Sequence, residues 1–233
     1  MSMAVRFEGV RKEYGRVVAV DHVDLDIEPG SFVGLIGHNG AGKSTCMRML
    51  MGLLRPTSGR ISIAGVDVVK QPRQARQRLG AVPEEPSLYP YLSAQEFLEF
   101  VAEVRGGGDV GLALELTGLG DDASRLIREY SQGMRRKTAL AAAMLGEPDV
   151  LVLDEALNGL DPPSAARVKS ALRAACDRGQ TVLLSTHVVE TVQVVADRVV
   201  MLARGRIVAD ERVADVGAAG IEALFLERIA ETT

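Results

Sequence analysis

The chain has 233 residues, 47% of them apolar and 25% charged, with a formal net charge of −4. That is enough for one large domain with a buried core, and the acidic balance gives no electrostatic reason to expect nucleic acid or an anionic membrane surface as a partner. The two cysteines, Cys46 and Cys176, lack metal-ligand spacing and read as packed, reduced thiols, and no apolar run approaches the roughly 20 residues that span a bilayer.

Residues 4–27 alternate apolar and polar positions, which predicts antiparallel strands, and Glu28-Pro29-Gly30 predicts a turn. A short strand over 31–36 leads into a Gly-rich loop and an apolar helix over 43–54. Strands follow at 60–63, with a turn at Gly65, and at 80–83. The character then changes. Ser93 with Glu96 three positions on predicts a capped helix running to Val104, broken by Gly106-Gly107-Gly108. Helices over 110–117 and 135–145 complete an all-helical block that stops at Gly146 and Pro148. Residues 150–153 are continuously apolar, as in a buried parallel strand. Asp161 then caps a helix with Pro162 at its first position and Gly179 past its end. A strand over 181–185, a hairpin of 199–202 with 206–209 around Arg204-Gly205, and a short helix over 221–229 close the chain. Strands alternating with helices predict an α/β fold with a mainly parallel sheet covered on both faces.

The chemistry concentrates in a few places. Gly37-His38-Asn39-Gly40-Ala41-Gly42-Lys43-Ser44 fits the phosphate-loop pattern in full, between a strand and a helix. Glycines let the backbone N–H groups turn toward phosphate, and the helix start adds partial positive charge. Lys43 is expected to reach the terminal phosphates and Ser44 to ligate Mg²⁺. The strand 150–153 ends in Asp154 and Glu155. Beside a phosphate loop, Asp154 is expected in the Mg²⁺ shell, with Glu155 as general base toward the attacking water. Ser131 and Gly133 stand at a helix start, as a second anion site or a plain cap. His187 follows the strand 181–185 at the sheet's carboxyl edge, where ligands bind in open α/β sheets, although a lone histidine is more often structural.

Taken in order, these elements resemble an ATP-binding cassette ATPase over nearly the whole chain. The phosphate loop of that family corresponds to residues 37–45, including Thr45. Its signature corresponds to Tyr130-Ser131-Gln132-Gly133-Met134, and its post-glutamate loop to Asn158-Gly159-Leu160-Asp161. Its switch histidine corresponds to His187. Tyr14 matches the aromatic that stacks on adenine, though it also fits a half-buried strand residue. Three positions depart from the family: Gln132 within the signature, Glu84 in place of a glutamine expected near the metal, and Ala156 in place of proline. The resemblance implies a RecA-like P-loop ATPase core over 1–83 and 150–220, with an antiparallel β subdomain. It also implies a helical subdomain over 84–149 carrying the signature, and a C-terminal helix over 221–233, all in one domain over 1–233. ATP and Mg²⁺ are the implied cofactors. The implied partners are a second cassette unit, identical or paralogous, and transmembrane permease subunits at the cytoplasmic face of the cell membrane. The fragments Asp197–Asp210 and Leu224-Phe225-Leu226 resemble export-type members for drugs and antibiotics. The alternative is a soluble cassette ATPase acting on DNA or ribosomes, or a nucleotide-binding regulator without turnover.

Overall fold

A computed structural model describes residues 2–216 and 220–231. Residues 217–219 of the expected core and 232–233 of the expected closing helix lie outside the described residues. The chain begins with β1 (Val5–Tyr14), β2 (Val17–Ile27) and β3 (Phe32–Ile36), then α1 (Lys43–Leu50), β4 (Ser58–Ile63) and β5 (Val66–Asp67). Next come α2 (Pro72–Gln77), β6 (Leu79–Val82), α3 (Ala94–Arg105), α4 (Val110–Thr117) and α5 (Gln132–Met144). The last third holds β7 (Val150–Asp154), α6 (Pro162–Asp177), β8 (Thr181–Thr186), α7 (Val189–Val195), β9 (Arg198–Ala203), β10 (Arg206–Arg212) and α8 (Gly220–Glu231).

These strands form two sheets. The first is antiparallel in the order β2-β1-β4-β5; the second has the order β10-β9-β3-β8-β7-β6 and is parallel except for β10. Strands β3, β7 and β8 are buried along their whole length, so successive side chains feed cores on opposite faces. Val150 and Val152 join Val33, Leu183, Met47, Leu50, Phe7 and Ile61 beneath the antiparallel sheet. Leu151 and Leu153 join Phe32, Leu140, Val168 and Leu172 on the other face. The helical insert has its own core around Leu98, Phe97, Ile127 and Tyr130.

The capping reading of Ser93 holds in full. Its hydroxyl accepts from the Glu96 N–H, and the Glu96 carboxylate accepts from the Ser93 N–H. Other boundaries moved. Helix α1 stops at Leu50 rather than 54, because Met51 closes the last turn and Gly52 takes φ 69°. Helix α5 begins three residues earlier than expected, since Ser131 itself accepts from the Met134 N–H as its cap. The sequence reading did not include α2 or α7. The latter is rich in β-branched valine, whose local preference is for strands. Tertiary packing overrides it: Val192 presses on β3 at Gly34, where an added Cβ would lie 2.4 Å from a Val192 methyl.

The register fixes where chemistry is possible. Ile36 pairs with Thr186 and Asp154 pairs with Ser185, so the carboxyl ends of β3, β8 and β7 meet at one edge. The phosphate loop, the Asp154-Glu155 pair and His187 all issue from that edge.

Candidate functional site: a phosphate loop beside two carboxylates

Between β3 and α1 the backbone must double back tightly. Gly37 has no room for a side chain, since a Cβ would lie 2.4 Å from the Leu202 carbonyl oxygen. Gly42 caps α1 at φ 109°, a left-handed conformation that L side chains avoid. His38, Asn39 and Gly40 are exposed at the tip, whereas Ala41 is buried; Ser44 and Thr45 are half-buried in the first turn of α1. The side chain of Lys43 folds into the loop it follows. Its ammonium donates to the Gly37 carbonyl at 2.7 Å and the His38 carbonyl at 3.4 Å, and lies 3.9 Å from Glu155 Oε1. Burial pulls the Lys43 ammonium below its ordinary range, opposed by the charges of Glu155, Asp154 and Glu84. A buried cation held by weak neutral acceptors is poised to exchange them for phosphate oxygens.

Asp154 is fully buried at the end of β7. Its Oδ1 accepts from the hydroxyls of Ser185 and, at 3.3 Å, Ser44. Its Oδ2 is buried with no hydrogen-bond partner among the described residues. Burial pushes the Asp154 carboxyl above its usual range, against the lowering effect of the two hydroxyls. An orphaned carboxylate oxygen next to a serine hydroxyl, facing a phosphate loop, is a donor set that fits a hard divalent cation.

Glu155 takes φ 50°, uncommon for a residue with a side chain, and its N–H is held by the Ser185 carbonyl at 3.1 Å and the Ser185 hydroxyl at 3.2 Å. Its Oε2 accepts from Asn158 Nδ2 at 2.8 Å and lies 3.1 Å from His187 Nδ1. The carboxylate thereby selects the tautomer with the proton on Nδ1. Oε1 is the oxygen turned toward Lys43. His187 is otherwise exposed, with 57% of its side-chain surface accessible.

The remaining expected residues fall into three groups. Tyr14 is half-exposed at the end of β1, with Lys12 Nζ 5.2 Å from its ring centroid. The β1–β2 hairpin borders the phosphate loop, where Gly42 packs on the Ala19 carbonyl. Ser131 and Gly133 lie at the start of α5, and among the described residues no hydrogen bond joins them to the phosphate loop. They lie instead beside the loop after Glu155, Gly133 facing the Gly159 carbonyl. Asp161 commits both oxygens to Ser164, accepting from its N–H at 2.9 Å and its hydroxyl at 2.7 Å. Its carboxylate secures the loop to α6. Glu84 is exposed; its carbonyl accepts from Arg136 at 3.0 Å, and among the described residues its side chain makes no hydrogen bond.

Two residues at the site, Ser185 and Arg136, were not singled out from sequence. Ser185 is visible only once β7 and β8 are paired, and Arg136 only once α5 is docked. Asn158 was placed in the loop after Glu155, but its hold on the Glu155 carboxylate appears only in the structure.

The family described as ABC transporter matches residues 20–158. The bacitracin transport ATP-binding protein BcrA of Enterococcus faecalis is 32% identical over 220 residues, covering 93% of this chain and 71% of that protein. The daunorubicin resistance ATP-binding protein DrrA3 of Streptomyces coeruleorubidus is 37% identical over 234 residues, covering 96% and 74%. Among solved structures, the ATP-binding subunit of an ABC transporter superposes with a TM-score of 0.91 at 28% identity, covering 97% of this chain and 99% of that one.

Proposed function

We propose that this chain, which belongs to the ABC transporter family and is an ATPase of that family, powers an exporter of drug or antibiotic type. The observation that carries the proposal is the convergence at one sheet edge of Lys43, of Asp154 with its unpartnered oxygen, and of Glu155 held by Asn158 and His187.

The geometry supports the following roles. Backbone N–H groups of residues 37–45 receive the ATP phosphates at the start of α1, and Lys43 releases its two carbonyls to take phosphate oxygens. Ser44 and Asp154 would hold Mg²⁺, with Glu84 in its outer shell; the ion would supply positive charge to the phosphate oxygens. Glu155 Oε2 is already occupied by two donors, which leaves Oε1 to accept the proton of the attacking water. As the water oxygen bonds to the γ-phosphorus, the bond from phosphorus to the bridging oxygen breaks and ADP carries the electron pair away. His187 and Asn158 keep the carboxylate oriented throughout. Tyr14 stacks on adenine. One phosphate loop and one signature per chain imply a head-to-tail pair, in which Ser131 and Gly133 present N–H groups to the ATP of the facing unit.

Export follows from the relatives, which are named for bacitracin transport and daunorubicin resistance. The relatives are named as ATP-binding proteins, which supports assigning the permeation path to a separate permease subunit with this chain peripheral at the cytoplasmic face; among the described residues no helix is long and apolar enough to cross a membrane. Tyr89 and Tyr91 are exposed beside Pro86 and Pro90, with Tyr89 edge-on to Phe100 at 5.6 Å. That aromatic patch, with Leu92 behind it, is the docking surface we assign to the permease. Affinity capture from detergent-solubilised membranes should recover an integral membrane protein, and its recovery should fall when Tyr91 is changed to Ser. Reproducible recovery of soluble proteins alone would sink the transporter reading.

Glu84 provides a second check. Its side chain makes no hydrogen bond among the described residues, so Glu84→Gln should leave folding unchanged. Loss of one outer-shell contact should hold ATPase activity within about tenfold, a change of roughly 1.4 kcal/mol or less. A loss as deep as that of Glu155→Gln would make Glu84 the base.

A further inference from the structure

We propose that Arg136 is a positioning residue for hydrolysis, fastening from the signature helix both the loop after Glu155 and the segment at Glu84. The inference rests on the reading of Glu155 as the base.

Arg136 lies in the second turn of α5 and is 6% exposed. A guanidinium so buried is normally paired with a carboxylate, because an uncompensated buried charge is unfavourable. Here, among the described residues, neither acceptor is a carboxylate. One Nη donates to the main-chain carbonyl of Asn158 and the other to that of Glu84, while Nε is buried without a partner. The fork of the guanidinium spans two chain segments that no other side chain joins directly among the described hydrogen bonds. Gly159, at φ 71°, lies against it, an added Cβ there falling 3.6 Å from Nη1.

Both segments lead to the reaction. Asn158 is held at its carbonyl by Arg136, and its side chain holds Glu155 Oε2. Glu84 is held at its carbonyl, and its charge acts on Lys43. One side chain on the helix that Ser131 caps and that carries Gly133 thus sets where the carboxylate stands. A displacement of the order of 1 Å at a reacting group can slow a reaction by about 10²-fold. A residue of similar bulk without donors at 136 would release the loop.

The test is steady-state ATPase kinetics on the full chain, with fluorescent-nucleotide binding and thermal melting alongside. Arg136→Met keeps the bulk and removes the donors; kcat should fall about 10- to 100-fold while nucleotide Kd stays within about threefold. Arg136→Lys, which can reach one carbonyl, should restore part of kcat. Asn158→Ala should also slow turnover, and the double variant should be no slower than the slower single one, because both act on the same carboxylate. Should Arg136→Met fail to fold, the cycle is run with Arg136→Lys. Unchanged kcat in a folded Arg136 variant, or effects that multiply, would overturn the inference. Glu155→Gln is measured beside them. If it turns over at full rate, the base assignment itself fails. If it is inactive while Arg136→Met is not, the base stands and only the positioning role falls.

Discussion

Glu155→Gln should bind ATP with nearly unchanged affinity and hydrolyse it about 10²- to 10⁴-fold more slowly, the usual deficit when a general base is lost. The amide has the size of the carboxylate and can still accept from Asn158 and His187 through its oxygen, so the loop and the histidine keep their places. It cannot accept a proton at neutral pH. Removing the charge relieves the crowding of Glu155 with Asp154 at the end of β7, and it also takes from the buried Lys43 ammonium the carboxylate 3.9 Å away. In the proposed head-to-tail pair, where Ser131 and Gly133 meet the neighbour's ATP, trapped ATP means a trapped pair. Size-exclusion chromatography with and without ATP–Mg²⁺ should shift from monomer to dimer; if the partner is a paralogue, the shift requires that chain. Hydrolysis at the unsubstituted rate would falsify the base assignment whatever the oligomeric state.

Lys43→Ala should fail earlier, at binding. The Lys43 ammonium is buried, donates to two loop carbonyls and stands 3.9 Å from Glu155; in its proposed role it meets the phosphates before any bond changes. Hydrogen bonds to charged groups contribute about 1.5–3 kcal/mol, which corresponds to a roughly 10- to 100-fold rise in Kd for ATP. The truncated side chain also takes the Lys43 donor from the Gly37 carbonyl, while the His38 carbonyl keeps the Ala41 N–H at 3.1 Å, so the empty loop should be more mobile near Gly37 than in the parent chain. Isothermal titration with ATP separates the two variants: Glu155→Gln retains binding heat at micromolar nucleotide and Lys43→Ala loses it. Parent-like affinity in Lys43→Ala would remove the lysine from phosphate recognition and shift that task to the backbone N–H groups alone.

Much of the site was legible because its residues are local in sequence. Lys43 and Ser44 follow their glycines directly, and the strand ending in Asp154-Glu155 announces itself by unbroken burial followed by two carboxylates. Helix limits were legible at the side-chain caps Ser93 and Asp161, although α5, capped by Ser131, was placed three residues late. They were misplaced where the stop is a main-chain event, as at Leu50, and α7 was invisible because its valines favour strand until packed on β3. The cysteine reading also held: both thiols are free and buried, with burial pushing Cys46 up to about 12 and Cys176 to about 11.

By itself the sequence determined the phosphate loop, the paired carboxylates, the cassette order of motifs and the division into a sheet core and a helical insert. These are properties of contiguous residues, for which backbone conformation and burial pattern follow from side-chain type. Only the tertiary structure decided that Asp154 shares an oxygen with Ser44 and Ser185, that Glu155 is held by Asn158 and His187, and that Arg136 is buried between two carbonyls. The reason is physical. Strand register brings Asp154 opposite Ser185 across 31 residues of chain, and the docking of α5 brings Arg136 to Glu84 across 52. Such pairings depend on which elements pack together, a choice made by the summed burial of four apolar clusters that no single segment encodes.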